Sequence, residues 1–290
     1  KVFLRYFTSI IIVAIFVFPI AWWGLPSVKP ISAVFDKDRI VVFDFEPTLE
    51  NYRVTVFGYS KRSSAEDGKT LMGTSGNNSY DGRGSIVSSI IVAVGSTFLT
   101  TTIALLASYG ISRMQFWGSQ GYLNWILSQR FLPPIAIIVP LVFIFHDLGL
   151  RDSHTGLIIA HTLINIPLAL LLLKSFMDDV PLDIDQAAMI DGATRFQCFW
   201  KVILPMIRGG LAATAVLCFI FSWTEFLLSL FLTNSIRTIP VKITTYVTST
   251  GSEWGYISAL GTSAVLPSFI FILLVQRHLV RGLTMGAIKD

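Results

Sequence analysis

The chain has 290 residues, of which 53% are hydrophobic and only 14% charged, with a net charge of +4 and a mean hydropathy of +0.66. These values lie outside the range of soluble globular domains, so the bilayer is the main solvent for this polypeptide. The basic residues flank apolar runs and form no stripe, so the positive charge needs no nucleic-acid partner.

Crossing roughly 30 Å of hydrocarbon takes about 20 helical residues. Runs of that kind are predicted at Phe3 to Gly24, Ser85 to Gly110, Tyr122 to Phe145, Thr155 to Leu173, Gly209 to Ser235 and Trp254 to Gln276. Barrel strands would be only about 10 residues long and would alternate polar with apolar. The fold class is therefore read as all-α, a polytopic membrane protein with about six transmembrane helices in a single transmembrane domain, residues 1–290. The first run resembles a secretory signal in its position. It has no charge from Tyr6 to Gly24 and no small-x-small site before Pro26, so a retained anchor is expected. Because the sequence opens on Lys1, residues are also expected ahead of it.

Six spans put both termini on one side. That side would carry Lys1, Arg5, Arg113, Lys174, Arg195, Lys201, Arg208, Arg277, Arg281 and Lys289, against Arg151, Arg237 and Lys242 in the short loops opposite. The positive-inside rule then makes both termini cytoplasmic, with 26–83 a long extracytoplasmic loop and 178–205 and 277–290 on the cytoplasmic side. The long loop has an apolar part, IVVFDFEPTLENYRVTVFG from Ile40. A part rich in Gly, Ser, Asn and charge follows from Tyr59 to Arg83 and reads as an exposed excursion. Within it Asp67-Gly68-Lys69-Thr70 resembles the end of a phosphate-binding loop. Ser63 stands where the first glycine belongs and no strand precedes it, so nucleotide binding is not expected here. His146, His154, His161 and His278 form no H-E-x-x-H pair, and the two cysteines lack metal-ligand spacing. No catalytic residues, metal site or bound cofactor are expected, which disfavours a membrane-embedded enzyme.

Polar groups inside spans are costly and are functional candidates by default. Arg130 precedes Pro133, Pro134 and Pro140, and these prolines predict a kink where irregular backbone lines protein or water. Glu225 is the one acid well inside an apolar run, beside Trp223, while His161 and Asn165 lie one helical turn apart on one face. Two readings stay open for Arg130 and Glu225: a structural ion pair or subunit contact, and the lining of a translocation route. For His161 and Asn165 the structural reading is an inter-helix hydrogen bond. For Trp223 it is packing, against a platform for a sugar ring.

The segment DIDQAAMIDGATRFQCFWKVILP, Asp183 to Pro205, is folded and charged yet has no catalytic set. Asp183 or Asp185 is expected to cap a short helix through Gln186, Ala187, Ala188 and Met189, and Asp191-Gly192 to stop it with a left-handed glycine. Thr194 is expected to cap a second helix with Phe196, Phe199, Trp200 and Ile203 on one stripe. The product is a docking element, or an interfacial helix on lipid headgroups.

The order Gln186-Ala187-Ala188, three residues, Gly192, nine residues, then Val202 to Pro205 closely resembles the EAA loop of binding-protein-dependent ABC importer permeases. FEPTLENY from Phe45, RFLPPIAIIVPL from Arg130, WTEFLLSL from Trp223 and the tail from Gln276 to Asp290 are similar to the carbohydrate, MalG-like branch. The resemblance implies a type I permease fold with a cytoplasmic coupling helix, in the cytoplasmic membrane of a bacterium or archaeon. The implied partners are a MalF-like second permease, an extracytoplasmic solute-binding protein, and an ATPase dimer that holds ATP and Mg. It gives ATPase coupling to Gln186, Ala187, Ala188, Asp191, Gly192, Leu204 and Pro205, and a second ATPase contact to Gly282, Leu283, Thr284, Gly286 and Lys289. The candidate translocation path is Arg130, Pro133, Pro134, His161, Asn165, Trp223 and Glu225, for a carbohydrate or related polyol. Two departures stand out: Gln186 replaces the usual glutamate, and Thr224 replaces the asparagine of the family's WNEF. The runner-up is a self-sufficient secondary carrier or channel using Arg130 and Glu225, disfavoured by the lack of an evident internal repeat.

Overall fold

A computed structural model describes residues 2–34, 45–59, 80–114, 116–248 and 251–285. Residues 40–44, the excursion at 60–79 and the tail positions Gly286 and Lys289, all singled out above, lie outside the described residues. Four helices are long and apolar enough to cross a membrane alone, and two sharply bent helix pairs, Ser119–Phe131 with Pro134–Asp147 and Arg195–Met206 with Arg208–Thr224, bring the number to six when each is one span.

The chain forms two compact units, Lys1–Val87 with Thr238–Pro267, and Ser88–Arg237 with Ser268–Asp290. The first contains α1 (Val2–Gly24), α2 (Ile31–Val34), α3 (Glu50–Thr55), α13 (Ile239–Thr244) and the opening turns of α4 (Arg83–Arg113) and α14 (Trp254–Met285). Asn51 pins this unit: its buried Nδ2 donates to the carbonyls of Ser27 and Lys29, each at 2.9 Å. Gly255 permits the approach, since a Cβ there would lie 2.9 Å from the Asn51 amide. Strands β1 (Val247–Thr248) and β2 (Gly251–Ser252) form a two-residue hairpin that an all-helical reading did not foresee.

The second unit is arranged around α7 (His154–Asp178), which carries eleven of the buried residues and lies against α5 (Ser119–Ser128), α11 (Arg208–Thr224) and α12 (Leu227–Leu232). Lipid tails are as apolar as leucine, so helices here associate through close packing and polar contacts. Two glycines allow it. A Cβ on Gly210 would meet the Phe176 ring at 2.2 Å, and one on Gly95 would meet Ile158 at 2.7 Å. One apolar cluster gathers Leu170, Leu173, Met177, Phe199, Ile203 and Cys218, and another Ile138, Phe145, Leu157, Leu228 and Leu232.

Two spans expected to be continuous are broken. The run Tyr122 to Phe145 divides into α5 with a 3-10 turn, Gln129–Phe131, and α6 (Pro134–Asp147), bent by 101°. Pro133 is extended and Pro134 starts α6 where no N–H is needed, so the kink inferred from the prolines is a full break. The run Gly209 to Ser235 stops at Thr224. Glu225 is extended, and both its carboxylate oxygens accept from the Leu228 N–H at 3.1 and 3.0 Å, satisfying an orphan donor of α12. In contrast, α14 continues past Gln276 to Met285.

Candidate functional site

A cavity of about 490 Å3 lies within the second unit, walled by the α5–α6 break, α7 and the α11–α12 break. Of the residues proposed from sequence, Arg130, Pro134, His161, Asn165 and Glu225 line it, together with Trp125, Gln129 and Phe221, which the sequence reading missed. Pro133 lies at the break without joining the lining, and Trp223 is buried, stacked on Phe219 at 5.5 Å between centroids. The tryptophan therefore packs and offers no face to the cavity.

The structural ion pair considered for Arg130 and Glu225 is not formed. The Arg130 guanidinium stands 5.8 Å over the Phe221 ring, and Glu225 Oε2 instead lies 3.5 Å from His161 Nε2. The break after Thr224 turns Glu225 back toward its own α12 amides, which explains the change of partner. On its other side His161 Nδ1 shares a 2.7 Å hydrogen bond with Ser222 Oγ on α11, and Ser222 shares another, at 2.7 Å, with Ser96 Oγ on α4. A buried polar chain thus crosses three helices and ends at the cavity wall. The last contact is too long to satisfy Nε2, so a fully buried nitrogen is left beside the cavity without a close partner. Aromatic faces, a guanidinium, two amides and a carboxylate around one space are the groups that bind hydroxyl-rich rings, by C–H contact on one side and hydrogen bonds on the other.

The segment Asp183 to Pro205 folds as α8 (Leu182–Ile190), a turn, α9 (Arg195–Cys198), a π-helical turn Phe199–Ile203 and α10 (Leu204–Met206). The turn is a Schellman motif: Gly192 at φ +89° donates to the carbonyl of Met189 at 3.1 Å, and Ala193 donates to that of Ala188 at 3.0 Å. Thr194 caps α9 in a reciprocal capping box with Gln197. Gln186, Ala187, Asp191 and Gly192 are exposed, Ala188 and Leu204 half-buried, and Pro205 exposed at the start of α10.

Two expectations for this segment are corrected. Neither Asp183 nor Asp185 caps α8. Pro181 occupies that position, and the aspartates fall in the first turn, where negative charge suits the helix dipole; Asp185 is turned inward. The aromatic stripe is also split. Phe199 and Ile203 are buried while Phe196 is 72% and Trp200 47% exposed. The four positions fall on two faces, because residues four apart share a face and the π turn shifts the register. With Ile190 at 85%, the loop exposes three large apolar side chains among exposed polar ones such as Gln186, Asp191 and Arg195. Near the C-terminus, Gly282, Leu283 and Thr284 lie in the last turns of α14.

A polar knot that no motif announced is built on Asp152. Its backbone has φ +53°, unusual for a residue with a side chain, and its carboxylate accepts from the N–H groups of Asn234, Ser235 and Ile236 and from the Ser235 hydroxyl. These bonds hold its pKa down at about 2. The sign that could have found it is small: a short Arg-Asp-Ser turn just ahead of a long apolar helix.

Residues 100–285 match the family of binding-protein-dependent transport system inner membrane components. The chain is 36% identical over 238 residues to the trehalose transport system permease protein SugB of Mycobacterium tuberculosis, an alignment spanning 78% of this chain and 87% of that protein. It is 31% identical over 288 residues to the sulfoquinovosyl glycerol transport system permease protein SmoH of Agrobacterium fabrum, spanning 99% and 93%. It shares a fold with a chain in the crystal structure of a bacterial ABC transporter involved in the import of the acidic polysaccharide alginate, at a TM-score of 0.72, 18% identity and coverage of 96% and 95%. Helices that cross a membrane repeatedly and a family match over most of the length make this chain a member of the binding-protein-dependent inner membrane component family, a multi-pass permease subunit of an ABC importer and not an enzyme.

Proposed function

We propose that this permease forms half of the translocation pathway of an ATP-driven importer for a carbohydrate or related polyol. Its partners are a MalF-like second permease, an extracytoplasmic solute-binding protein, and two ATPase subunits that hold ATP and Mg. Both termini and the loop 178–205 are cytoplasmic, as the distribution of basic residues supports. Residues 26–83 form the extracytoplasmic loop.

The observation that carries the solute class is the cavity, whose size suits a sugar of one or two rings and whose walls combine Trp125 and Phe221 with Gln129, Arg130, Asn165 and Glu225. Relatives named for trehalose and sulfoquinovosyl glycerol, both rich in hydroxyl groups, support the same class. Coupling belongs to the exposed side of α8 and its turn, with Gln186, Ala187, Ala188, Asp191 and Gly192 seated on an ATPase, and to the end of α14. Gln186 meets the ATPase as a neutral hydrogen-bonding group. The test is reconstitution of the purified complex in proteoliposomes, using the sugar that the cognate binding protein retains. Uptake should require both ATP and the binding protein. Uptake by this chain alone, driven by an ion gradient, would replace the reading with a secondary carrier.

A further inference from the structure

The usual carboxylate of the coupling loop is absent at Gln186, yet a carboxylate stands one residue earlier and faces the other way. Asp185 points into the protein, where its Oδ2 lies 3.0 Å from Nε of Arg113, with the two side chains 10% and 6% exposed. The contact is ionic and not a directed hydrogen bond, since neither atom has an aligned hydrogen-bond partner. The other Asp185 oxygen accepts from Cys198 Sγ at 3.4 Å, so this one side chain touches α4 and α9 from α8. Arg113 is the last residue of α4, the 31-residue helix that crosses the membrane. Its guanidinium also donates to the carbonyl of Val180 at 2.8 Å, just ahead of α8. One residue earlier, Ser112 donates to Asp178 at the end of α7, and Tyr109 donates to the carbonyl of Arg195 in α9. The last turn of α4 is therefore bonded to the end of α7, the start of α8 and the start of α9.

A buried ion pair is poor evidence for added stability, because desolvating both charges offsets their attraction, but separating its partners is costly. That asymmetry suits a joint. Two elements joined this way move together, because moving one alone would strand a buried charge. We infer that the Arg113–Asp185 pair is the relay through which displacement of α8 is passed to the membrane-spanning helix α4. The inference rests on the reading that α8 seats on an ATPase, and it assigns Asp185 a positioning role distinct from the docking face. The loop thereby separates two tasks: neutral Gln186 faces outward, and the Asp185 carboxylate is turned toward the protein's own helix.

The experiment compares Asp185→Asn, Asp185→Glu and Arg113→Gln in the complete complex in proteoliposomes, measuring ATP hydrolysis, solute uptake and ATPase co-purification. Asp185→Asn and Arg113→Gln should keep the ATPase bound and hydrolysing while solute moved per ATP falls roughly tenfold, a usual size for loss of coupling between two sites. Asp185→Glu, which keeps the charge, should recover most of that ratio. An unchanged ratio in Asp185→Asn would overturn the relay. Loss of the ATPase from both neutral variants would overturn it too, because the pair would then maintain the docking surface and not transmit movement. If the unsubstituted complex shows no ATP-dependent uptake, the importer reading itself fails, which the wild-type lane separates from failure of the relay.

Discussion

The cavity and the coupling loop are built on opposite plans within the same unit. The cavity places Arg130, His161, Asn165 and Glu225 around one space, beside the α5–α6 break and the interruption between α11 and α12, so that irregular backbone and polar side chains face one another. The loop does the reverse. It keeps Asp185 and Arg113 inside and turns Ile190, Phe196 and Trp200 outward with the small Ala187. Polar groups facing a cavity suit a ligand that passes through, whereas exposed Ile190, Phe196 and Trp200 set among polar Gln186, Asp191 and Arg195 suit a protein that stays attached. Substitutions in the loop should therefore change how hydrolysis drives uptake, and those in the cavity should change how solute is handled.

The largest effect is expected at Gly192. A Cβ there would meet nothing within 4 Å, so any penalty comes from the backbone, held at φ +89°. The left-handed region costs a residue with a side chain about 1–2 kcal/mol, and more for a β-branched one. Gly192→Val should lower ATP-dependent uptake at least roughly tenfold, the ratio that about 1.4 kcal/mol represents, while the protein still inserts. Gly192→Asn, which tolerates this region better, should lose far less. Equal loss in both variants, measured by uptake and ATPase co-purification, would mean that the exposed surface matters here and the turn does not.

Why some of this was legible in sequence and some was not follows from the range of each interaction. The Gly192 stop and the Thr194 cap depend on residues within a few positions of each other, and both are where local rules put them. The prolines after Arg130 announced a kink, since a missing N–H is written in the residue type. The break at Glu225 was hidden, because apolar residues continue on both sides and only the carboxylate's bond to its own downstream amide reveals it. Asp185 was read as a cap on local grounds, but its partner Arg113 lies 72 positions away by subtraction of the residue numbers, beyond any local pattern. Similarly long separations along the chain concealed Phe221 opposite Arg130 and Ser222 opposite His161.

A middle-sized effect is expected at Glu225, which sharpens the cavity side of the comparison. Replacing it with alanine removes the acceptor for the Leu228 N–H and the contact to His161 without touching the loop. Uptake should fall about fivefold, the ratio that roughly 1 kcal/mol for one net hydrogen bond represents. The loss should appear as a raised solute concentration for half-maximal uptake, with the amount of ATP hydrolysed per solute near that of the wild type. Glu225→Gln, which keeps an acceptor oxygen, should fall between the two. A Glu225→Ala complex that hydrolyses ATP freely without uptake would erase the distinction between the two regions.

The smallest effect on transport is expected at Asp152, which ties the turn between α6 and α7 to the residues after α12 and so secures both broken spans at one end. Its carboxylate is held below the usual range, at about 2. A depressed pKa means that the tie is fully present above the unfolded value of about 3.8 and is lost as pH falls through the folded value. Thermal stability of the purified protein in detergent should therefore drop on acidification over this window, and less steeply in Asp152→Asn. At neutral pH, Asp152→Ala should cost about 1–2 kcal/mol through the lost hydrogen bonds. Asp152→Gly removes the same bonds but accepts φ +53° without strain, so it should be the more stable of the two. If alanine and glycine proved equal, the side-chain bonds alone would account for the residue. Because the knot touches the end of α12 and not α8, neither variant should change the solute moved per ATP, even where the cavity variants and the loop variants diverge.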